Sequence, residues 1–437
     1  GHIISSQYGF RRGHSTYMAI LDMVENIRKA WENGEHCLGI FIDFKKAFDT
    51  VDHSILLGKL YHLGIRGAPF ELIRSYFSNR KQYVVFNGAE SSHQEITVGV
   101  PQGSILGPLF FLLYINDLSR VSSFFKCILF ADDTNIFASA KTKRELYDRV
   151  GVELGKLSDW FAHNKLTLNY SKTEYIDFSK PAVGSSESNF ILKIDGNLIQ
   201  KVNESKFLGV IIDKDLSWRG HITGVRSRLS QTIGIIGRAR SFMNGAQLLL
   251  LYNTMVLPYL QYCLINWGNF DGDHNKGLRD GLLTLQKTFV RIITGSHPYS
   301  HADPLFAELG ILKVVDLYNH NVRVFSYKLH KKLLPSGISS MFPEISHGYN
   351  TRGASSNLFV SRSDSRSIKS IAPKVWNQLD QLDSESRLEP DQKLKASPSI
   401  ASFKERSKRG LLGPYAAVCR VRPCLPCSVS APVAPLV

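Results

Sequence analysis

Apolar and polar positions along the chain fall into two regimes. Up to about residue 210, short β-rich runs alternate with stretches of helical spacing. Cys37 to Asp43 (CLGIFID) reads as a buried strand that ends on an aspartate. Ile55, Leu56, Leu60 and Leu63 then repeat with a helical period until Gly64. A second helix is predicted from Pro69 to Phe77, with the proline near its first turn. Lys81 to Asn87 returns to strand character, and Asn87-Gly88 marks a turn. The segment GVPQGSILG (Gly99 to Gly107) is punctuated by Gly and Pro, and Ser104 is placed to cap a buried helix over Leu109 to Leu118. In CILFADDTNIFA two β-rich runs meet at Asp132-Asp133, the pattern of a hairpin. From Thr142 onward, Leu146, Val150, Leu154, Leu157 and Phe161 form one face of an amphipathic helix. Further strands are expected at Glu174 to Phe178 and Phe207 to Ile212. Such alternation predicts an α+β fold.

A second regime follows. From Leu216 to Phe270 there is no Asp or Glu, whereas there are five arginines: Arg219, Arg226, Arg228, Arg238 and Arg240. The spacing is helical, and a solvated helix face normally mixes both signs. The longest apolar stretch, Ala246 to Leu260, holds Gln247, Asn253 and Pro258. It suits a buried helix better than a span of ~20 apolar residues. Beyond Gly295 the periodicity fades; residues 345–372 are rich in Ser, Gly and Arg and read as a linker. Helical pieces are expected around Trp376 and Phe403, and the apolar, Pro-rich tail from Gly413 is expected to be disordered. The expected divisions are therefore 1–213, a helical basic region 214–300, a helical C-terminal region 301–412, and a tail 413–437.

Composition sharpens this picture. The 437 residues carry a formal net charge of +15, which favours a polyanionic partner because each phosphate neutralised releases a counterion. No secretory signal is visible at the N-terminus, which begins at Gly1. Cys37, Cys127 and Cys263 lie in apolar runs and are expected to pack as small hydrophobes, so a reducing intracellular compartment is the default. Cys419, Cys424 and Cys427 cluster near the C-terminus, but no histidine follows His347 to complete a four-ligand zinc site.

The candidate chemistry rests on carboxylates. Alone, Asp132-Asp133 is the composition of an exposed turn. Asp43, at the end of its own apolar strand, changes that reading. Two neighbouring strands that each present a carboxylate can hold two Mg²⁺ ions ~3.5–4 Å apart. Without a cation or a proton such carboxylates repel one another. A glycosidase pair would leave the net charge and the acid-free arginine segment without purpose.

Six blocks now stand in order: QYGFRRGHST, FIDFKKAFDTVDH, GVPQGSILGPLF, LFADDTNIF, LTLNYSKTEYIDF and KFLGVIID. Together they resemble the reverse transcriptases, most closely those of non-LTR retrotransposons of the jockey and LINE type. The resemblance runs from about Gln7 to about Asp213, and more loosely to about Lys404. It implies a right-hand polymerase palm with a remnant of fingers over 1–213 and a basic thumb over 214–300. Asp43 and Asp132 would bind two Mg²⁺ ions, with Mn²⁺ as a substitute and Asp133 in support. Phe48 would be the steric gate against a ribose 2′-OH, Gln102 and Gly103 would meet the incoming dNTP, and Phe207, Leu208 and Gly209 would grip the primer. Lys172 would stand near the leaving pyrophosphate, or be a solvated lysine. Arg11 and Arg12 would touch template or triphosphate, or face solvent. The arginines from Arg219 to Arg240 would track a duplex.

The implied reaction is RNA-directed DNA synthesis, with an RNA template, a DNA primer or target and dNTPs as partners and no membrane. Synthesis at a chromosomal target would place the protein in the nucleus, with assembly in the cytoplasm. The family's fingers precede QYGF and are missing here, and no endonuclease, RNase H set or CCHC knuckle is recognisable. The chain is thus expected to be an element copy truncated at its N-terminus with the palm intact. The alternatives are an inactive relic that only binds nucleic acid, a group II intron maturase-type enzyme, or a viral RNA-dependent RNA polymerase, the last disfavoured by Phe48.

Overall fold

A computed structural model describes residues 3–180, 190–269, 273–342, 358, 360, 367–385 and 394–421. The helices are α1 (Thr16–Glu32), α2 (His53–His62), α3 (Ala68–Phe77), α4 (Leu106–Tyr114), α5 (Lys143–His163), α6 (Arg219–Ala239), α7 (Gly245–Met255), α8 (Leu257–Gln261), α9 (Leu264–Trp267), α10 (Asp273–Thr294), α11 (Ala302–Glu308), α12 (Val314–His330), α13 (Ser336–Ser339), α14 (Ile368–Glu385) and α15 (Ile400–Val421). The strands are β1 (His36–Ile42), β2 (Lys81–Gln82), β3 (Val85–Phe86), β4 (Ala89–Glu90), β5 (Gln94–Glu95), β6 (Lys126–Phe130), β7 (Asp133–Ala140), β8 (Glu174–Asp177), β9 (Lys193–Ile194), β10 (Asn197–Leu198), β11 (Gln200–Val202), β12 (Glu204–Phe207) and β13 (Val210–Asp213). No helix among the described residues is long and apolar enough to cross a membrane.

Two compact units result. One contains Gly1–His221, Leu333–Pro343 and Ser361–Lys369; the other contains Ile222–Lys332, Glu344–Val360 and Ser370–Val437. The 214–300 and 301–412 regions, set apart on the sequence, share the second unit, while two later segments return to the first.

In the first unit a five-stranded sheet has the order β11-β8-β1-β7-β6. β1 is its centre, antiparallel to β7 from His36↔Ala140 to Ile42↔Thr134 and antiparallel to β8 from Leu38↔Asp177 to Phe41↔Glu174. A strand with neighbours on both sides and protein on both faces must be apolar throughout, which explains CLGIFI. Leu38, Ile40 and Ile42 pack in one buried cluster with Leu56 and Leu60 of α2, Phe111 and Tyr114 of α4, and Leu146, Val150, Leu154, Leu157 and Phe161 of α5. Each such side chain contributes about 1.5–3 kcal/mol on burial. Gly39 is where the other face closes: a Cβ there would stand 2.8 Å from the Phe178 ring. Cys37, Cys127 and Cys263 are buried, as their apolar runs suggest, whereas Cys424 and Cys427 lie outside the described residues.

Helix α1 was not apparent in the sequence because its buried face includes Asp22, Glu25 and Arg28. Those charges are paired: Asp22 lies 2.6 Å from Lys126 and accepts from the Tyr8 hydroxyl at 2.9 Å. Glu25 accepts from the Ser367 hydroxyl (2.7 Å) and the Ile368 amide (3.2 Å), with Lys369 at 3.6 Å. That buried carboxylate fastens a late segment of the chain to the first helix, so a boundary drawn at 213 misses part of the unit. The remainder of the expected 345–372 linker lies outside the described residues, apart from 358, 360 and the start of α14.

In the second unit α6 buries Ile222, Val225, Leu229 and Ile236 and exposes Arg226, Arg228 and Arg238. The apolar stretch expected as one helix breaks between α7 and α8, because Pro258 in the first turn of α8 cannot continue the helical hydrogen bonding. Gln286 is fully buried and satisfied: its Nε2 donates to the Tyr252 hydroxyl and the Leu312 carbonyl, and its Oε1 accepts from Val314 N at 2.7 Å. Trp376, Leu379 and Phe403 join Val324 and Tyr327 in a local core. The tail expected to be disordered from Gly413 is instead helical to Val421. Tyr415 holds it, buried and hydrogen-bonded to the Asp316 carboxylate.

Two expectations follow for stability. Replacing Glu25 by alanine strands a buried hydroxyl, an amide and a lysine, and should lower stability by about 3 kcal/mol. Glu25→Gln, which still accepts two hydrogen bonds, should lose less. Urea denaturation checks both, and an unchanged midpoint in Glu25→Ala would refute the clamp. Separately, burial lowers the pKa of His221 to about 4 and that of His320 to about 4, the latter helped by Lys404, Arg323 and Lys408. Between pH ~6.5 and these values the unfolded chain binds more protons than the folded one. The contribution of these two histidines to stability should therefore be unaffected above neutrality and fall progressively from about pH 6.5 towards about 4. His320→Gln should flatten that slope, and denaturation midpoints at pH 7.5 and 5 test it.

Candidate active site

Strand register brings the carboxylates together. β1 and β7 end their pairing at Ile42↔Thr134, so the next step along both strands sets Asp43 level with Asp133. Asp132 precedes it in the turn from β6, where Phe130 pairs with Asp133. Asp132 and Asp133 feel the charge of Asp43. Desolvation raises the Asp133 carboxyl, and the charges of Asp132 and then Asp43 raise it further, up to about 6. Asp132 is also raised, chiefly by desolvation and then by Asp43.

The contrast with the structural carboxylates of the same unit is informative. Asp22, Asp52 and Asp177 each have a lysine close by: Lys126 at 2.6 Å, Lys165 at 2.6 Å and Lys143 at 2.9 Å. Burial opposes ionisation of Asp52, yet hydrogen bonds from Lys165 and the Ile55 amide hold its pKa down to about 2. Among the described residues no lysine or arginine forms an ion pair with Asp43, Asp132 or Asp133. Asp43 has instead a neutral partner, the Asn169 amide, which donates to Oδ2 at 2.8 Å. The LTLN segment holds Asn169 there through backbone pairing: Lys45 N to Thr167 O (2.9 Å), and Asn169 N to Asp43 O (2.8 Å). Asn169 was not picked out in the sequence, where nothing distinguishes it from other polar residues at strand ends.

No three His, Cys, Asp or Glu side chains among the described residues converge into a ready-made metal cage. Mg²⁺ does not require one, because it keeps waters and takes its remaining ligands from substrate phosphates, with one or two carboxylates from the protein. An all-oxygen donor set of mutually repelling carboxylates fits such an ion.

Around Asp43 lies a cleft of about 530 Å³ lined by Lys45, Lys46, Thr50, Asn169 and Lys172, so Lys172 does reach the surface that carries Asp43. Lys46 and Thr50 also line a second cleft of about 830 Å³ with Arg80, Lys81 and Gln102. Lys46 and Arg80 are further cations that the sequence did not single out. Phe48 is half-buried and stacks on Phe111 with ring centroids 4.6 Å apart. The GVPQG loop is fitted to the same turn: Val100 N donates to Phe48 O at 2.9 Å, and Gln102 Nε2 donates to Asp49 Oδ1 at 2.7 Å. A Cβ on Gly99 would stand 2.8 Å from the Asp49 carbonyl oxygen, and Gly103 has a left-handed φ of +78° that favours glycine. Ser104 accepts from Gly107 N at 2.9 Å, but it stands one residue ahead of the N-cap, Ile105, because α4 runs from Leu106 to Tyr114 and not over Leu109 to Leu118.

Phe207 to Ile212 is not one strand. Leu208 (φ 45°) and Gly209 (φ 79°) turn the chain between β12 and β13, in the mirror-image turn that suits a two-residue hairpin. Phe207 is a buried aromatic, edge-on to Phe41 of the central strand at 6.3 Å, and so anchors this hairpin to the sheet.

Arg11 is not among the residues lining either cleft. Its guanidinium donates to the Ile4 carbonyl (2.7 Å) and the Gln7 carbonyl (2.9 Å), acceptors that the N-terminal segment leaves without strand partners. The arginines of α6, and Arg240 just beyond it, are exposed, but several already have roles inside the fold. Arg228 donates to the Tyr259 hydroxyl at 3.1 Å, Arg240 donates to the Gly295 carbonyl at 3.3 Å, and Arg226 lies against Gly281 of α10. Arg219 belongs to the first unit and the other four to the second.

A sheet whose central strand and neighbouring hairpin present acidic residues at one end, with a glycine-rich loop and a basic cleft beside them, defines the palm class of templated polymerases. Residues 1–212 match the family described as reverse transcriptase (RNA-dependent DNA polymerase). Over 346 residues it is 28% identical to the probable RNA-directed DNA polymerase from transposon X-element of Drosophila melanogaster, covering 77% of this chain and 37% of that protein. Over 338 residues it is 28% identical to the RNA-directed DNA polymerase from mobile element jockey of Drosophila funebris, covering 75% and 35%. The chain thus spans little more than a third of the length of these relatives. Among solved structures, telomerase from Candida albicans with a fragment of telomeric RNA is 13% identical, covering 74% of this chain and 54% of that one, with a TM-score of 0.34.

Proposed function

We propose that this chain is the polymerising part of a non-LTR retrotransposon protein and copies an RNA template into DNA, joining dNTPs to a primer 3′-OH. The observation that carries the reading is the set of three carboxylates at one sheet end, without a cationic partner among the described residues, beside a cleft edged by Lys45, Lys46 and Lys172. Asp43 and Asp132 would hold divalent cations, Mg²⁺ or Mn²⁺, with Asp133 in support. Such cations, when bound, supply Lewis-acid neutralisation of phosphate oxygens and a lowered pKa for the attacking hydroxyl.

The chain's own residues do the rest. Asn169 fixes the rotamer of Asp43 with a hydrogen bond that does not neutralise its charge. Lys46 and Lys172 would attract the triphosphate electrostatically. Phe48, braced by Phe111, would offer a rigid wall to the sugar, and the GVPQG loop tied to the neighbouring Asp49 would set the nucleotide's distance from that wall. The Leu208-Gly209 turn would steady the primer end. Exposed arginines of α6, with the chain's net positive charge, suit the backbone of a nucleic-acid hybrid.

The decisive experiment is primer extension on poly(rA)–oligo(dT) with Mg²⁺. Asp132→Asn with Asp133→Asn should lower the rate on the order of 10³-fold or more while leaving salt-dependent hybrid binding intact. Hybrid binding with no extension by the parent chain would favour a protein that only binds nucleic acid. In addition, Phe48→Ala should shift the preference for dNTPs over rNTPs by about 1–3 kcal/mol, roughly 10- to 200-fold, as measured by competing kcat/KM values. An unchanged ratio would remove Phe48 from the gate.

A further inference from the structure

The QYGF block does work that neither the carboxylates nor the clefts account for. Ser6 to Tyr8 runs along the outer edge of β6, with Tyr8 N donating to Leu129 O (2.7 Å) and Leu129 N donating to Ser6 O (2.9 Å). Gln7, only 1% exposed, turns its side chain onto the strand's end. Its Oε1 accepts from Gly9 N at 2.8 Å and from Ala131 N at 3.0 Å. Ala131 is the residue before Asp132, and it is buried in a left-handed conformation with φ of 57°. A non-glycine residue so placed is strained and persists only when its surroundings impose it. The Gln7 carbonyl is the side-chain group that receives its amide. Gly9 completes the fit: a Cβ there would collide with the Ala131 amide and stand 2.9 Å from the Phe130 carbonyl carbon.

Gln7 Nε2 is buried and has no hydrogen-bond partner among the described residues. A buried amide with its donor half unsatisfied is unfavourable for stability, where methionine of similar length would carry no such penalty. The two N–H groups at Oε1 fix which way the amide points, so its contribution is a rigid acceptor aimed at the peptide ahead of Asp132.

We propose that Gln7, with Gly9 beside it, is a positioning residue that forces Ala131 into the left-handed conformation and thereby aims Asp132 and Asp133 at a common divalent cation. This rests on the polymerase reading above. It concerns a backbone turn, and so makes a claim distinct from the identity of the ligands.

The test is a cycle on the full chain: Gln7→Met, Ala131→Gly and the two combined, with Asp132→Asn as reference. Mn²⁺ binding is read from loss of the free-ion electron paramagnetic resonance signal, and urea midpoints are measured alongside. Glycine takes up a left-handed φ without outside help. Gln7→Met should therefore weaken Mn²⁺ binding about fivefold or more with little change in midpoint, and adding Ala131→Gly should restore most of it. Mn²⁺ affinity unchanged in Gln7→Met, or lost equally in the double variant, would overturn the proposal. Should Gln7→Met fail to fold, a double variant that folds and binds Mn²⁺ supports the proposal; one that also fails shows a purely structural role and overturns it. If Asp132→Asn binds Mn²⁺ as the parent does, the ligand assignment falls and the positioning claim falls with it. If Asp132→Asn loses binding while Gln7→Met keeps it, only the positioning claim fails.

Discussion

The first unit is organised around a repulsion that no cationic side chain among its described residues relieves. Asp43 and the Asp132-Asp133 pair are forced to one sheet end by the β1–β7 register, where burial and neighbouring charge make Asp132 and Asp133 harder to ionise. A slip of one residue would send every side chain of β1 to the opposite face, so a strongly specified register is a precondition of the site. The specification comes from β1 being paired on both sides and buried on both faces, and from Gly39 admitting the Phe178 ring. The stability of the sheet thus offsets the cost of assembling like charges.

Much of this was legible before any coordinates. Runs of β-forming residues that stop at aspartates revealed β1, β6 and β7, and the helical period from Leu146 to Phe161 revealed α5. The features that were missed share a cause: their partners are remote in sequence. Helix α1 looked too charged to be buried, because the compensation for Asp22 lies in Lys126 and that for Glu25 in Ser367 to Lys369. Gln7 and Asn169 act on backbone or side-chain groups more than a hundred residues away, and no local pattern encodes that. The hairpin at Leu208-Gly209 was hidden because a non-glycine residue with positive φ leaves no compositional trace. Tyr415 similarly extends α15 past the point where glycine and proline suggested an end.

Charge had to be separated from availability. The acid-free segment from Leu216 to Phe270 correctly marks a basic helical surface, yet its arginines are not equivalent. Arg228 and Arg240 spend hydrogen-bonding capacity within their own unit, and Arg226 packs over a glycine of α10. Arg11 is likewise consumed by two carbonyls. Such residues still contribute long-range potential, because their charge is unchanged, but their geometry is set by the fold. The cations lining the Asp43 cleft differ: Lys45, Lys46 and Lys172 are exposed.

That difference bears on how the site selects a ligand. A lysine placed directly on Asp43 would neutralise it and leave little affinity for a divalent ion, as Lys165 does for Asp52. The fold instead supplies a neutral amide at Asp43 and keeps the lysines at the cleft's edge, where solvent screens them. Opposite charges therefore stay near each other without cancelling. A ligand that carries both signs, a phosphate chain with its divalent cation, satisfies the carboxylates and the lysines together, whereas a lone anion or a lone cation satisfies only one set. On the proposed function, discrimination would come from charges that the described residues leave unpaired.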